Sequence, residues 1–173
     1  MIQLIKAGLQ DCAQIHAMQV ESFLDLLEKY HDEATNPAAE PLERVEARME
    51  QDATDYYFIQ AGDRRAGMIR VQRLPENVCR VSPICILPAF QGKGYAQAAM
   101  RALEALYPQA RAWRLETIKE EEKLRHLYEK LGFTPLGVIP GGFRRPDGGY
   151  VDICLYWHAV EPVKEDGPPD MLQ

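Results

Sequence analysis

An α/β or α+β fold around a mixed sheet of about seven strands is what this sequence predicts, and three observations carry the prediction. Apolar runs of strand length alternate with segments whose apolar residues recur at helical spacing. Bends rich in glycine and proline punctuate them at short intervals. No internal repeat or linker divides the 173 residues, so they fit one domain, 1–160. A polar tail, "EPVKEDGPPDMLQ" (161–173), reads as disordered.

The elements follow in order. "IQLIKA" is the first strand, and Leu9, Cys12, Ile15, Met18 and Phe23 give the next segment a helical stripe. "HDEATNPAAEP" breaks the chain before a second helix, "LERVEARMEQD". "YYFIQA" and "AGMIRVQRL" form a hairpin around the turn "GDRR". "VCRVSPICIL" is a long strand interrupted by Pro83, which marks an edge or a bulge. Ala96, Ala99, Met100, Leu103 and Leu106 then line one face of a helix that ends near Pro108. "AWRLET" is a strand, and "EEEKLRHLYEKL" is a helix with Leu124, Leu127, Tyr128 and Leu131 on one stripe, closed by Gly132. "FTPLGVI" and "GYVDICLYWH" read as two last strands around the loop "PGGFRRPDG".

Composition narrows the function. Hydrophobic residues at 46% and charged residues at 27% are ordinary for a soluble domain. A net charge of -6 argues against sequence-independent nucleic-acid binding, which needs a basic face. It leaves room for a local basic pocket. The acidic balance weakly favours a cationic substrate through steering. Cys12, Cys79, Cys85 and Cys154 are scattered and make no C-x-x-C pair, so neither zinc nor any other metal is expected. Free thiols in apolar runs suggest the cytosol. No stretch has the length of a membrane span, and the mixed N-terminus is no signal peptide. The expectation is a soluble cytoplasmic protein without a membrane or nucleic-acid partner.

"LPAFQGKGYAQAAM" (87–100) places two glycines where a strand ends and a helix starts. The first turn of a helix exposes unpaired N–H groups and the positive end of the macrodipole. Glycines let a backbone approach an anion closely. Spacing alone leaves two readings open: an anion cradle, or a tight turn carrying an exposed lysine. The segment fails the Walker pattern, since no Ser or Thr follows Lys93. It also fails the dinucleotide fingerprint, with Gln97 at the last glycine position and a place halfway down the chain.

The remaining match is Q/R-x-x-G-x-G/A, present as Gln91-Gly92-Lys93-Gly94-Tyr95-Ala96. With "ICILP" upstream and "LYEKLGF" (127–133) downstream, the chain resembles the GNAT (GCN5-related N-acetyltransferase) family from about Ile2 to His158. The resemblance implies a twisted, mostly antiparallel sheet with helices on both faces and a splayed central strand pair. It implies acetyl-CoA in that split, with an amine acceptor, and it allows a homodimer. By resemblance, the backbone of Ile84, Cys85 and Ile86 pairs with the pantetheine arm. Gln91, Gly92, Lys93, Gly94, Tyr95, Ala96 and Gln97 then receive the pyrophosphate.

Tyr128 matches the family's tyrosine near the coenzyme sulfur, though its apolar stripe also suits plain packing. Where many members carry asparagine, seven positions earlier, this chain has Glu121, which by resemblance stands at a coenzyme-binding position; it could cap its helix but could not copy an amide's contact with the coenzyme. Glu116 stands where some members hold a general base, if its side chain faces the site. His31 and Asp32 lie in a loop that could face the acceptor or only solvent, and Tyr150, Asp152 and His158 surround the last strand. The implied reaction is direct attack of an amine on acetyl-CoA. Its rivals are a coenzyme-binding regulatory module and transfer of a longer acyl group. A covalent route would need the Cys85 thiol to face the cleft.

Overall fold

In the computed structural model, which describes residues 1–160, seven strands form one sheet in the order β1-β2-β3-β4-β5-β7-β6. The tail expected to be disordered lies outside the described residues. The strands are β1 (Ile2–Lys6), β2 (Thr54–Ala61), β3 (Arg64–Leu74), β4 (Val78–Ile86), β5 (Ala112–Ile118), β6 (Thr134–Arg144) and β7 (Tyr150–Ala159). The helices are α1 (Cys12–Tyr30), α2 (Leu42–Met49), α3 (Tyr95–Leu106) and α4 (Glu122–Lys130). Every neighbouring pair is antiparallel except β4 and β5. The mixed, mostly antiparallel sheet expected from the sequence is therefore present.

Strand alternation divides the apolar residues between two cores. Tyr57, Ile59, Ile69 and Val71 join Ala99, Met100, Leu103 and Tyr128 in a cluster shared with α3 and α4. Tyr56, Phe58 and Met68 point the other way, to Cys12, Ile15 and Met18 of α1 and Val45 of α2. Each fully buried aliphatic or aromatic side chain such as Ile69, Phe58 or Leu103 contributes about 1.5–3 kcal/mol. The helices thus cover both faces because the central strands β2 and β3 are apolar on both.

Details of turns, burial and strand length differ from the sequence reading. Gly62 and Asp63 alone turn the β2–β3 hairpin; Arg64 already pairs with Ala61. Leu106 and Leu9, placed on apolar stripes, are exposed at 51% and 52%. Each stands at an end of its stripe, Leu9 in a 3-10 turn ahead of α1 and Leu106 as the last residue of α3. Pro140, Gly141 and Gly142, read as loop, belong to β6, where a register shift between Ile139 and Phe143 absorbs them as a bulge. The loop shrinks accordingly to the residues between Arg144 and Tyr150.

Two irregularities in β4 position the site. It pairs with β5 only through Val78–Ala112, Cys79–Trp113 and Arg80–Arg114. Beyond Arg80 the strands part, so Ile84–Ile86 pairs with β3 on one side and leaves the other edge free. The register with β3 also slips: Ile69 faces Ile84 and Val71 faces Val81, leaving Arg70 opposite Ser82 and Pro83. Pro83 supplies no ladder donor, which favours a bulge here.

Candidate active site

The parted strands open into a cleft whose first cavity measures about 460 Å³. Ile84, Cys85 and Ile86 form one wall, and Gln91, Gly92 and Gly94 sit at the bend beyond it. Tyr95, Ala96 and Gln97, the first turn of α3, continue the lining. Gly92 and Gly94 have φ of 76° and 75°, the left-handed region that side chains other than glycine's resist. No side chain caps α3, so its first-turn N–H groups have no intrahelical partner. A Cβ at Gly92 would meet nothing within 4 Å; the glycines answer a backbone requirement and leave the cradle open. Gln91 donates from its side-chain amide to the Ile86 carbonyl at 2.9 Å, tying the bend to β4.

Two expected coenzyme residues stand apart from this lining. Lys93 is exposed, its ammonium 5.7 Å from the Phe90 ring centre. Glu121 begins α4 without capping it. Its carboxylate accepts from Lys29 at 2.7 Å and from the Tyr30 hydroxyl at 2.5 Å, joining the end of α1 to the start of α4. Burial alone would raise the Glu121 pKa, but those two partners outweigh it and the pKa falls. The cations that do line the cavity are Lys123 and Lys130 of α4. Sequence reasoning missed them, because both read as the solvated side of an amphipathic helix.

Tyr128 stands at the boundary between the first cavity and a second one of about 230 Å³. Its ring packs edge-on against Phe133 at 6.5 Å and is tilted to Tyr156 at 6.1 Å. Burial pushes its hydroxyl up to about 12. Cys85 shares the wall through its strand, yet its side chain belongs to the core with Met68 and Ile15. Burial raises that thiol to about 11, so it is a protonated core residue at neutral pH.

The second cavity holds two carboxylates. Glu116 points off the face that carries Leu115 and Thr117, as alternation requires. Both its oxygens are taken: Arg80 donates at 2.8 Å and Arg114 at 3.1 Å. Asp32, for which a solvated loop position was one expectation, is 7% exposed and lines the cavity. Its Oδ1 accepts from Asn36 at 3.0 Å, and no cation pairs with it among the described residues. His31 lies outside the cavity linings, facing Glu33 at 3.8 Å. Tyr150 is exposed, Asp152 faces Lys119, and His158 lies between Gly132 and Glu104. None of those three lines the cleft.

A third cavity of about 600 Å³ continues from the second, sharing Ser82, Pro83 and the start of the α1–α2 connection. Its walls carry Arg44, Arg48, Arg70 and Arg80. No group of His, Cys, Asp and Glu suited to a metal occurs among the described residues, and no described helix is long and apolar enough to cross a membrane.

A split sheet, an uncapped helix at its mouth and a tyrosine between two cavities fit the cleft that the acyltransferase resemblance implies. The chain matches the acetyltransferase (GNAT) family over residues 20–133, most of its length, and belongs to that family. No curated protein matches the sequence. The fold is similar to that of spermidine N-acetyltransferase from Vibrio cholerae, solved with CoA and spermine (21% identity, 91% of this chain and 95% of that one, TM-score 0.73). It is also similar to RimL, a ribosomal L7/L12 α-N-protein acetyltransferase in complex with coenzyme A (15% identity, 92% and 94%, TM-score 0.74). The ribosomal-protein-S18-alanine N-acetyltransferase from Escherichia coli is a third (15% identity, 96% and 99%, TM-score 0.72). At these identities the likeness is one of fold.

Proposed function

We propose that the protein transfers an acetyl group from acetyl-CoA to a primary amine by direct attack, the amine in the second cavity and the coenzyme in the first. The observation that supports this most is the position of Tyr128, which lines both cavities at once. When bound, acetyl-CoA supplies a thioester whose carbonyl carbon accepts the amine. The free edge of Ile84–Ile86 offers backbone groups to an extended arm. The N–H groups from Gly92 to Gln97, with Lys123 and Lys130 nearby, suit a pyrophosphate.

The C–S bond breaks as the C–N bond forms, and each residue then has a proton to manage. Tyr128 donates a hydrogen bond to the departing sulfur. An amine with pKa ~10.4 costs about 4–5 kcal/mol to deprotonate at pH 7, so a nearby carboxylate is needed. Asp32 serves that end, because among the described residues no arginine holds it. Glu116 is the second reading, since it lines the same cavity. The neighbours named above act on spermidine and on ribosomal proteins, so the acceptor must come from this chain's own pocket. The Lys29–Tyr30–Glu121 contact takes the place of the expected coenzyme contact at Glu121 and holds the helices either side of the cleft.

Release of free thiol from acetyl-CoA, followed across an acceptor panel, tests the proposal. Amine-dependent release is the expected result. Coenzyme binding without turnover on any amine would favour a regulatory module, and faster release from longer acyl-CoAs would change the donor.

A further inference from the structure

One acidic and one basic side chain lie buried on the acceptor side of the cleft without a partner of opposite sign among the described residues. Asp32 lines the second cavity beside Tyr128. Arg70 lines the third and is only 6% exposed. The other arginines of that cavity differ from it. Arg48 holds Glu40 at 2.7 Å, and Arg80 holds Glu116 at 2.8 Å. Arg44 stands exposed at the rim. Arg70 donates one bond, from its NH1 to the Ser82 carbonyl at 2.9 Å, and its Nε has no partner although buried. Among the described residues no carboxylate pairs with it.

A buried guanidinium left this way is costly unless something compensates it. The slip of register sets Arg70 in the wall of the third cavity, opposite Ser82 and Pro83, which line the second and third cavities alike. Its planar fork of N–H donors matches both oxygens of a carboxylate. Burial first, and then Arg48, lower the Arg70 pKa, the direction that a bound anion would reverse.

We propose that the acceptor is a small amino acid or a close oxyanion analogue, its amine beside Asp32 and its carboxylate on Arg70. The inference rests on the acyltransferase reading and narrows it. Whole-chain charge of -6 points to a cation, but the field inside the pocket is set by the nearest groups. Glu40 and Glu116 already pair with Arg48 and Arg80, so the buried charge left for an acceptor to match is that of Arg70, and a polyamine would leave it without a counter-ion.

The test compares α-, β- and γ-amino acids with their own carboxamides, with spermidine and a short peptide as comparators, in the thiol-release assay. The acids are expected to exceed their amides in kcat/KM by about 10- to 100-fold, the worth of a charge-assisted hydrogen bond. In Arg70→Gln this ratio collapses toward one, and Arg70→Lys restores part of it. Binding of coenzyme A by calorimetry reports that each variant is folded. Should Arg70→Gln not fold, the wild-type ratio still decides, and Arg44→Gln at the exposed rim lowers it a few-fold. Release driven equally by amides, or best by spermidine or the peptide, overturns the inference and leaves the acyltransferase reading standing. Absence of release with every amine overturns both.

Discussion

Changing Tyr128 to phenylalanine removes one hydroxyl from the wall between the two cavities and keeps the ring contacts with Phe133 and Tyr156. The magnitude follows from its environment. The hydroxyl is pushed up to about 12 by burial, while a free thiol titrates near ~8.5. Full proton transfer from this phenol to the departing sulfur would be uphill by roughly 5 kcal/mol. In the proposed reaction Tyr128 would therefore act as a hydrogen-bond donor to a growing negative charge. Such a bond is worth about 1.5–3 kcal/mol, so Tyr128→Phe should lower kcat by roughly 10- to 150-fold. The KM for acetyl-CoA should stay near wild type, because the bond strengthens only as the sulfur leaves. Steady-state thiol release at saturating acceptor measures both. A wild-type kcat would reduce Tyr128 to packing and refute the reasoning.

The same group makes a claim about stability. Its folded pKa lies above the ~10 of an unfolded chain, so the unfolded state loses this proton first as pH rises. The stabilisation is fully present below pH ~10 and disappears between there and about 12, amounting to ~3 kcal/mol across that window. Urea titrations at pH 9 and pH 11 should show the loss in wild type and less of it in Tyr128→Phe.

Other predictions concern the mouth of the cleft, the core thiol and the acceptor's proton. Gly94→Val forces a β-branched residue to φ 75°, costing about 1–2 kcal/mol, and should abolish calorimetric coenzyme binding while a cooperative melt persists; unchanged affinity would remove the phosphate cradle from the scheme. Cys85→Ala should retain kcat within a few-fold, and mass spectrometry of wild type with acetyl-CoA should find no acyl adduct at that residue. Asp32→Asn should lower kcat/KM by about 10²-fold or more, with a smaller loss at alkaline pH where more of the amine is already neutral. If Glu116→Gln shows that pattern instead, the two carboxylates exchange roles.

How much of this was legible beforehand depends on the range of the interactions. The helices, the strands and the glycine bend rest on contacts within a few residues, and periodicity reports those directly. Gly92, Gly94 and Tyr128 stood out for the same reason, as a compact motif in fixed local geometry. Glu121 did not declare its role, because its partners Lys29 and Tyr30 are ninety-odd residues away in sequence. Arg70 sits between Ile69 and Val71, where alternation makes a polar residue read as solvent-facing. The α1–α2 connection, folded across that face, covers it and makes it the wall of a pocket. Asp32 was hidden in the same way: "HDEATN" has the composition of an exposed loop, yet its backbone turn and Asn36 bury the carboxyl. Pro83 signalled a bulge, but not which side chain the bulge would redirect.

The brevity of the β4–β5 pairing has a consequence for how this enzyme can change. Three residue pairs hold the two half-sheets together, so backbone bonding sets almost nothing about how wide they gape farther along. That leaves the angle to packing: Trp113, Leu115 and Tyr156 on one half share a buried cluster with Ile69, Val71 and Val81 on the other. A methyl group gained or lost among those residues, with no ligand in reach, would tilt one half-sheet against the other and reset the spacing between donor and acceptor. Catalytic geometry and interior volume are, in this fold, a single adjustable quantity.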